Sequence, residues 1–463
     1  MQSGNSLSRR ALMQGALTTA GGIAMSQSDL LAAAVQPPKA PFTYVQTKAF
    51  HIPPETTTEE SGYFSLCEGL NGKIYVGTAA YGRNSFLVEF DPATERMRIV
   101  LDTHKVVGQK TTGYAAQAKL HTRNFVGPSG KIYVGSKQGY LSQAERAAQK
   151  KGEKVPVYQG GYVMVYDPAK DTTENLGMPM PLDDARRKAG RTEGEGVIDV
   201  TADEARGLIY VVTCEHQHWM LYNTRTKTYR DLGPILRDQP NTLIDAQGRG
   251  TAITSDFRIA RYEPGKDRVT IDPLRVDGKP FAEYLGAKRV HPDWRITPDG
   301  RTAYLQLLDD LRMFRVDLTS AVGQPVLATN LGDRIKGAHP DSRGSICLGP
   351  DGRVYSAIRI DNTTSFGKGY LHHLVRHDPS TRRMEDLGVF TVRNPGFFDF
   401  KGIQTKNPDG SLRPRHGYHT LPDGTLTPLH VIMAMIVARN GTIYATTIYP
   451  YTLLKVETVK AIK

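Results

Sequence analysis

Cysteine and tryptophan are scarce in this chain of 463 residues, which has three of the first and two of the second. Cys67, Cys214 and Cys347 lie far apart and form no CxxC pair, so a zinc knuckle or thioredoxin-like motif is absent. Each lies in a strand-like apolar context, and we expect buried free thiols. The sequence also lacks an HExxH motif, an EF-hand loop, a GxSxG elbow and a GxGxxG loop leading into a helix. Dinucleotide and serine-hydrolase chemistry therefore have no support.

Acidic residues are outnumbered, because 47 Asp and Glu stand against 59 Lys and Arg, for a net charge of +12. Such an excess predicts an anionic partner. The 39% hydrophobic and 23% charged content is that of a globular protein, not of a membrane protein, a coiled coil or a disordered chain. No aromatic RNA-binding motif accompanies the basic residues, so we expect an acidic polymer rather than nucleic acid.

The first residues read as an export signal. Arg9 and Arg10 precede a small-residue apolar stretch, residues 16–25, that is too short and too rich in glycine to span a bilayer. The paired arginines indicate the twin-arginine route. We assign residues 1–36 to the signal peptide and linker and residues 37–463 to a single domain. The expected location is periplasmic or secreted, with no membrane span.

One phrase recurs along the rest of the chain: a Gly-containing turn, a strand of the type Ile-Tyr-Val, and a second strand that ends in a Tyr/Phe-Asp-Pro turn. Copies begin at Gly72, Gly130, Gly207, Gly300, Gly352 and Gly441, with a weaker one near Gly248. A four-strand unit repeated every 40–50 residues or so is typical of a β-propeller. The last of seven units lacks its outer strand, which residues 43–52 would supply. The sequence therefore predicts an all-β, seven-bladed propeller closed by an N-terminal strand in the last blade.

Insertions and polar residues gather at one face of the predicted ring. The long segments 138–160, 178–194 and 390–428 are rich in charge, Gly or Pro, and loops of this length are usually functional. Positions where inner strands begin and the next strands end hold Lys119, His121, Arg123, Glu195, Asp199, Glu215, His216, His218, His291, Trp294, His339, Asp341, Arg343, Arg359, Asp361, His419, His430 and Tyr449. We therefore expect a polar central site.

Histidines stand out in this set. His216 and His218 would project both imidazoles to one face of a strand, which suits metal coordination or substrate binding. His419 and His430 are the other two candidate ligands. The cofactor is thus left open, with a divalent metal ion as one alternative and direct substrate contact as the other.

The repeated phrase, together with Lys119-Leu120-His121-Thr122 leading into Gly130-Lys131-Ile132-Tyr133, resembles the propeller polysaccharide lyases, notably the ulvan lyases and more distantly oligogalacturonate lyase. The resemblance covers about residues 42–460, and the chain is also similar to exported bacterial propellers of uncharacterised activity. Those lyases cleave uronate-containing chains by β-elimination, which requires neutralisation of the carboxylate, a base and an acid.

The resemblance implies roles for individual residues. His121 matches the family's His-Thr position and would act as an acid/base or carboxylate-binding residue. Tyr449 would be the base or the acid, and Arg343 would clamp the carboxylate. Further substrate contacts would come from Lys119, Arg123, His218 and His430. Ser136-Lys137 stands where the family has a second histidine, and Cys214 where it has a tyrosine.

The implied function is an exported carbon–oxygen lyase that acts, as a monomer, on an acidic polysaccharide or oligosaccharide. One alternative is a non-enzymatic propeller that binds glycan or protein. The other is a metal-dependent propeller lactonase or hydrolase.

Overall fold

Strands make up nearly all of the regular structure in the computed structural model, which describes residues 38–238, 241–286, 291–402 and 417–457. The strands are β1 (Tyr44–His51), β2 (Glu60–Glu68), β3 (Ile74–Ala79), β4 (Phe86–Asp91), β5 (Arg96–Asp102), β6 (Lys119–Leu120), β7 (Phe125–Val126), β8 (Ile132–Lys137), β9 (Val163–Asp167), β10 (Thr172–Asn175), β11 (Gly196–Asp203), β12 (Leu208–Cys214), β13 (Trp219–Asn223), β14 (Thr228–Asp231), β15 (Leu243–Ile244), β16 (Gly250–Ile253), β17 (Ile259–Glu263), β18 (Arg268–Asp272), β19 (Leu274–Val276), β20 (Lys279–Pro280), β21 (Pro292–Ile296), β22 (Thr302–Leu307), β23 (Arg312–Asp317), β24 (Val326–Asp333), β25 (Cys347–Leu348), β26 (Val354–Asp361), β27 (Tyr370–Asp378), β28 (Arg383–Val392), β29 (Tyr418–Thr420), β30 (Leu426–Pro428), β31 (Ile432–Val437), β32 (Ile443–Thr447) and β33 (Thr452–Val456).

Helices are few and short. Those within the described ranges are α1 (Thr103–Val107), α2 (Gln143–Lys150), α3 (Asp184–Lys188) and α4 (Phe281–Leu285), with 3-10 turns at Pro54–Thr56, Gly113–Ala115, Pro395–Phe397 and Phe400–Gly402. The mostly-β content confirms the all-β class predicted from the sequence. The predicted leader lies outside the described residues. None of the helices in the described ranges has the length and apolar character needed to cross a membrane.

Consecutive strands pair antiparallel in chain order. The sets β11–β14 and β15–β18 are separate four-stranded sheets, and the same order recurs in β2–β5, β21–β24 and β25–β28 within larger sheets. Five copies of the sequence phrase form the turn into the second strand of such a set, and the copies at Gly130 and Gly441 form the turns into β8 and β32. At Gly72 and Gly130 this turn needs φ of 77° and 84°, which glycine adopts without a Cβ clash.

The first strand pairs with strands that lie far along the chain. In β1, Thr47 lies opposite Val456 in an antiparallel pairing with β33, and Tyr44 lies opposite Val389 in a parallel pairing with β28. Thr47 also donates from Oγ1 to the Thr391 carbonyl oxygen at 2.6 Å. A strand is therefore present within the expected residues 43–52, and it pairs with β33 at one end of the β31–β33 set.

Apolar side chains from neighbouring four-strand sets pack against each other. Trp219 and Trp294 are fully buried, and their indole nitrogens donate to Thr242 Oγ1 at 3.1 Å and to the Asn241 carbonyl oxygen at 2.9 Å. These bonds tie β13 and β21 to the segment that precedes β15. The three cysteines are buried and free, as expected.

Substitution of Trp294 by Ala tests this packing. Because the indole is fully buried and hydrogen-bonded, its removal should lower the free energy of unfolding by about 3–5 kcal/mol. Urea unfolding followed by circular dichroism would measure the change. Leu327→Ala is the matched control, since Leu327 is 58% exposed, and it should cost less than about 0.5 kcal/mol. Equal midpoints for the two variants would contradict the packing described.

Candidate functional site

A buried lysine lies among three tyrosine rings. Lys119 begins β6, the two-residue strand that pairs with both β3 and β8, and is 2% exposed. Its Nζ lies 4.4 Å from the ring centroid of Tyr63, 4.9 Å from that of Tyr81 and 5.5 Å from that of Tyr140. It also donates to Tyr81 Oη at 2.8 Å. We call Lys119 and these three rings the lysine cage.

The Lys119 amine of the cage changes its charge near neutral pH. In the part of the chain that the structure describes, no carboxylate lies within salt-bridge distance of Lys119. Burial and the neighbouring Lys137 ammonium lower the pKa of Lys119 to about 7, and the charge of Glu60 opposes this shift. The three ring faces attract the ammonium through their quadrupoles. Both forms of the amine are therefore accessible near neutral pH.

Tyr63 connects the cage to its surroundings. Its φ of 60° falls where the register between β2 and β3 shifts, and such bulges re-aim side chains. The Tyr63 ring stacks on His121 with centroids 4.7 Å apart and planes 20° from parallel. The Cζ atom of Arg343 lies 5.8 Å from the same ring centroid. One tyrosine thus contacts three of the residues predicted from the sequence.

His121 is a neutral imidazole at the base of this stack. It is 4% exposed, and its ring centroid lies 5.5 Å from that of Phe64 in an edge-to-face arrangement. Burial holds the pKa of His121 well below its ordinary range, and the charges of Lys137 and Lys119 add to this effect. Its Nδ1 atom has no hydrogen-bond partner within the described ranges. The ring can therefore accept a proton or a hydrogen bond from a ligand.

Tyr449 lies beside the cage and is oriented by a carboxylate. Its Oη donates to Glu60 Oε1, and its ring stacks on His430 with centroids 5.4 Å apart. Arg359 donates to the His430 carbonyl oxygen at 2.7 Å. Burial lowers the pKa of His430, and the charges of Arg343 and Arg359 lower it further. Tyr449 and His430 thus form a second stacked pair.

Arg343 lies between the two stacks. Its Nε is 3.4 Å from Asp341 Oδ1, and its side chain is 27% exposed. Asp341 also pairs with Arg359 at 3.1 Å, so one carboxylate is shared by two guanidinium groups. The shared carboxylate leaves an excess of positive charge that a ligand can reach. The residues gathered around Tyr63 and Glu60 are Lys119, His121, Arg343, His430 and Tyr449.

Other predicted residues are paired elsewhere. His218 Nδ1 lies 2.8 Å from Asp231 Oδ2, and His216 Nδ1 lies 2.6 Å from Glu195 Oε1. His419 lies in β29, in pairing with β30. Among the described residues, no three or more His, Cys, Asp or Glu side chains are arranged to hold a metal ion. The metal site at His216, His218, His419 and His430 therefore stays a prediction without structural support.

Arg123 belongs to a different environment. It lines a cavity of about 550 Å³ and lies over the Phe64 ring, with Cζ 4.2 Å from the centroid. It donates to Asp293 Oδ1 at 2.9 Å and lies 3.6 Å from Asp199, whose pKa burial raises to about 6. These carboxylates balance the Arg123 charge within the protein. Its predicted role in substrate binding stays a prediction.

Four residues of the site were not predicted. Tyr140 is 62% exposed in the insertion after β8, and an exposed aromatic residue in a long loop was an available signal. Glu60, Tyr63 and Tyr81 had none, because their positions depend on the β2 bulge and on the loop after β3.

No protein-family model matches the chain, and no curated protein does. Among solved structures, the extracellular domain of BT4673 from B. thetaiotaomicron is similar at 11% identity and a TM-score of 0.46, over 89% of this chain and 39% of that chain. The extracellular domain of BT3049 from the same organism is similar at 12% identity and a TM-score of 0.47, over 88% of this chain and 41% of that chain. The Cps50 (Swd1) beta-propeller domain of Myceliophteria thermophila is similar at 10% identity and a TM-score of 0.48, over 90% of this chain and 100% of that chain. This chain thus spans about two fifths of the first two. These likenesses concern the fold and not activity.

The burial cost of Lys119 can be measured through pH. Below about pH 7 the amine is protonated in both the folded and the unfolded chain, so the cost of burying the charge is fully present. Between about 7 and the ordinary lysine value of 10.5 only the unfolded chain holds the proton, so stability rises with pH. Relative to Lys119→Met, the wild type should gain stability between about pH 7 and pH 9.5 in urea unfolding.

Lys105→Met is the control, because Lys105 is exposed. Its difference from the wild type should not change with pH. A pH-independent difference for Lys119→Met as well would show that the buried amine ionises normally.

Proposed function

We propose that the chain is a periplasmic or secreted polysaccharide lyase that cleaves an acidic, uronate-containing glycan by β-elimination. The supporting observation is the lysine cage, in which a buried cation has no carboxylate within salt-bridge distance among the described residues, and Arg343 shares its own carboxylate with Arg359. Buried charges are normally paired, so such a site favours an anionic ligand. The excess of basic residues in the sequence points to the same class of partner.

We also propose that the site lies in a seven-bladed propeller. Six blades would be β2–β5, β7–β10, β11–β14, β15–β18, β21–β24 and β25–β28. The seventh would be β31–β33 completed by β1. The antiparallel pairing of β1 with β33 supports this closure. Closing the ring in this way would leave the central strands without free edges.

Carboxylate binding would come first in the reaction. The proton on the carbon next to a uronate carboxylate is removable only when the negative charge that develops on the carboxylate is stabilised. Arg343 offers a planar set of donors that matches a carboxylate, and Asp341 holds it in place. The Lys119 ammonium would supply a second positive charge. Tyr140 would give an exposed ring on which a sugar could stack.

Proton transfer would involve His121 and Tyr449. Burial keeps His121 neutral, and its Nδ1 has no hydrogen-bond partner among the residues that the structure describes, so it would accept the proton from the carbon. The Tyr449 phenol donates a hydrogen bond to the Glu60 carboxylate, which orients the hydroxyl. Tyr449 would therefore act as the acid that protonates the leaving glycosidic oxygen. Glu60 would be the residue that positions it.

The direct test is to incubate the purified chain with a panel of uronate polysaccharides and record the ultraviolet absorbance of the new C4–C5 double bond. Tyr449→Phe and His121→Ala should each lower kcat by about 10²–10⁴, the usual contribution of an acid or a base. Tyr284→Phe is the matched control and should leave kcat unchanged, because Tyr284 packs against the Phe314 ring in a different strand set. Binding of these glycans without absorbance would support the non-enzymatic alternative instead, and neither binding nor absorbance would contradict both.

The pH dependence of binding gives a second test. Because the pKa of Lys119 is about 7, its charge is lost as pH rises above neutrality, and the Kd for an oligouronate should increase between about pH 6 and pH 8.5. Lys119→Arg should flatten this profile, since a guanidinium stays charged. Calorimetry at constant ionic strength would measure Kd. Parallel profiles for the wild type and the variant would contradict the assignment of Lys119 as a carboxylate contact.

A further inference from the structure

Two lysines face each other across neighbouring strands at the cage. Lys119 of β6 is the register partner of Lys137, the last residue of β8. Like charges directly opposite each other in a sheet repel. The pair is also shielded from water, since Lys119 is 2% exposed and Lys137 is partly buried. Repulsion between the two buried charges therefore favours loss of a proton from one of the two amines.

The surroundings decide which amine that is. Burial lowers the pKa of Lys137, but the Cys214 and Glu215 side chains more than offset it and the net shift is upward. For Lys119, burial and the Lys137 charge lower the pKa by more than Glu60 and Cys214 raise it, so its own shift is downward. Lys137 thus keeps its charge, and Lys119 is the amine that loses its proton near neutral pH. A desolvated lysine next to a second cation is the usual environment of a nucleophilic amine.

We propose that Lys119 is a nucleophilic amine that condenses with the carbonyl carbon of small keto- or aldehydo-acids to form an imine. The carboxylate of such a ligand would be held by Arg343, which contacts the same Tyr63 ring as Lys119. The carbonyl carbon would then meet Nζ. This reactivity does not depend on the lyase proposal, in which Lys119 acts only as a cation.

The step balances without an oxidant or a reductant. The Nζ lone pair attacks the carbonyl carbon, so the N–C bond forms as the C=O π bond breaks, and one proton moves from Nζ to the oxygen to give a hydroxyl. That hydroxyl takes a proton from solvent and leaves as water while the C=N bond forms. Tyr81 Oη, at 2.8 Å from Nζ, is placed to take part in the proton movements on nitrogen.

Reductive trapping tests the proposal on the full chain. Glyoxylate, the smallest aldehydo-acid, is added with cyanoborohydride, and the modified lysines are located by peptide mass spectrometry. Near pH 7 the Lys119 amine should be labelled at least about tenfold faster than exposed Lys105, because the ordinary lysine is almost wholly protonated there. The groups whose charge or hydrogen bonding sets this pH dependence are Glu60, Tyr63, Tyr81, Lys137, Tyr140, Cys214 and Arg343.

Variants separate the nucleophile from its activator. Lys119→Arg should remove the label from this peptide. Lys137→Gln should slow labelling of Lys119 by about tenfold near pH 7, because loss of the opposing charge raises the Lys119 pKa. Lys137→Arg is the matched control and should retain the fast labelling.

An unlabelled Lys119 in the wild type, or one labelled no faster than Lys105, would overturn the proposal whether or not the variants fold. Unchanged labelling in folded Lys137→Gln would overturn the role of the lysine pair. The outcome is independent of glycan cleavage, so fast labelling without lyase activity would uphold this inference and reject only the lyase.

Discussion

The repulsion between Lys119 and Lys137, register partners on β6 and β8, constrains the candidate site. Loss of a proton from one amine, or binding of an anion between the two, relieves this repulsion. Here the Cys214 and Glu215 side chains favour the charge on Lys137. The rings of the lysine cage partly stabilise the charge on Lys119. The site therefore favours the binding of an anion, and it contains the amine that we propose to be nucleophilic.

The fold supports this arrangement through short, irregular elements rather than through its regular sheets. β6 has only two residues, yet it bridges β3 and β8 and thereby fixes Lys119 in place. The bulge in β2 turns Tyr63 toward Lys119 and His121. Regular strands on either side pack into apolar cores, so the fold accommodates the short β6 strand and the β2 bulge. The candidate site therefore lies where the regular strand pattern is interrupted.

Much of the fold and part of the site could be predicted from the sequence. The recurring phrase marks the turns and strands, and a strand is present at Tyr44–His51, within the range predicted for an N-terminal strand. Lys119, His121 and Tyr449 follow from their positions at predicted strand ends, and their roles in binding and catalysis stay predictions. The role of Tyr63 could not be predicted, because a bulge changes the direction of a side chain without a sequence signature. The pairing of His216 with Glu195 likewise depends on a contact between separate segments.

The ionisation of the Lys119 amine is the property on which both proposals for this site depend most directly. Reductive methylation with ¹³C-formaldehyde, followed by NMR titration of the Lys119 signal identified through Lys119→Arg, measures it. The account predicts a pKa near 7 in the free protein and a higher pKa when an acidic oligosaccharide is bound, because the anion stabilises the ammonium. An ordinary lysine pKa in the free protein, unchanged by the oligosaccharide, would contradict it.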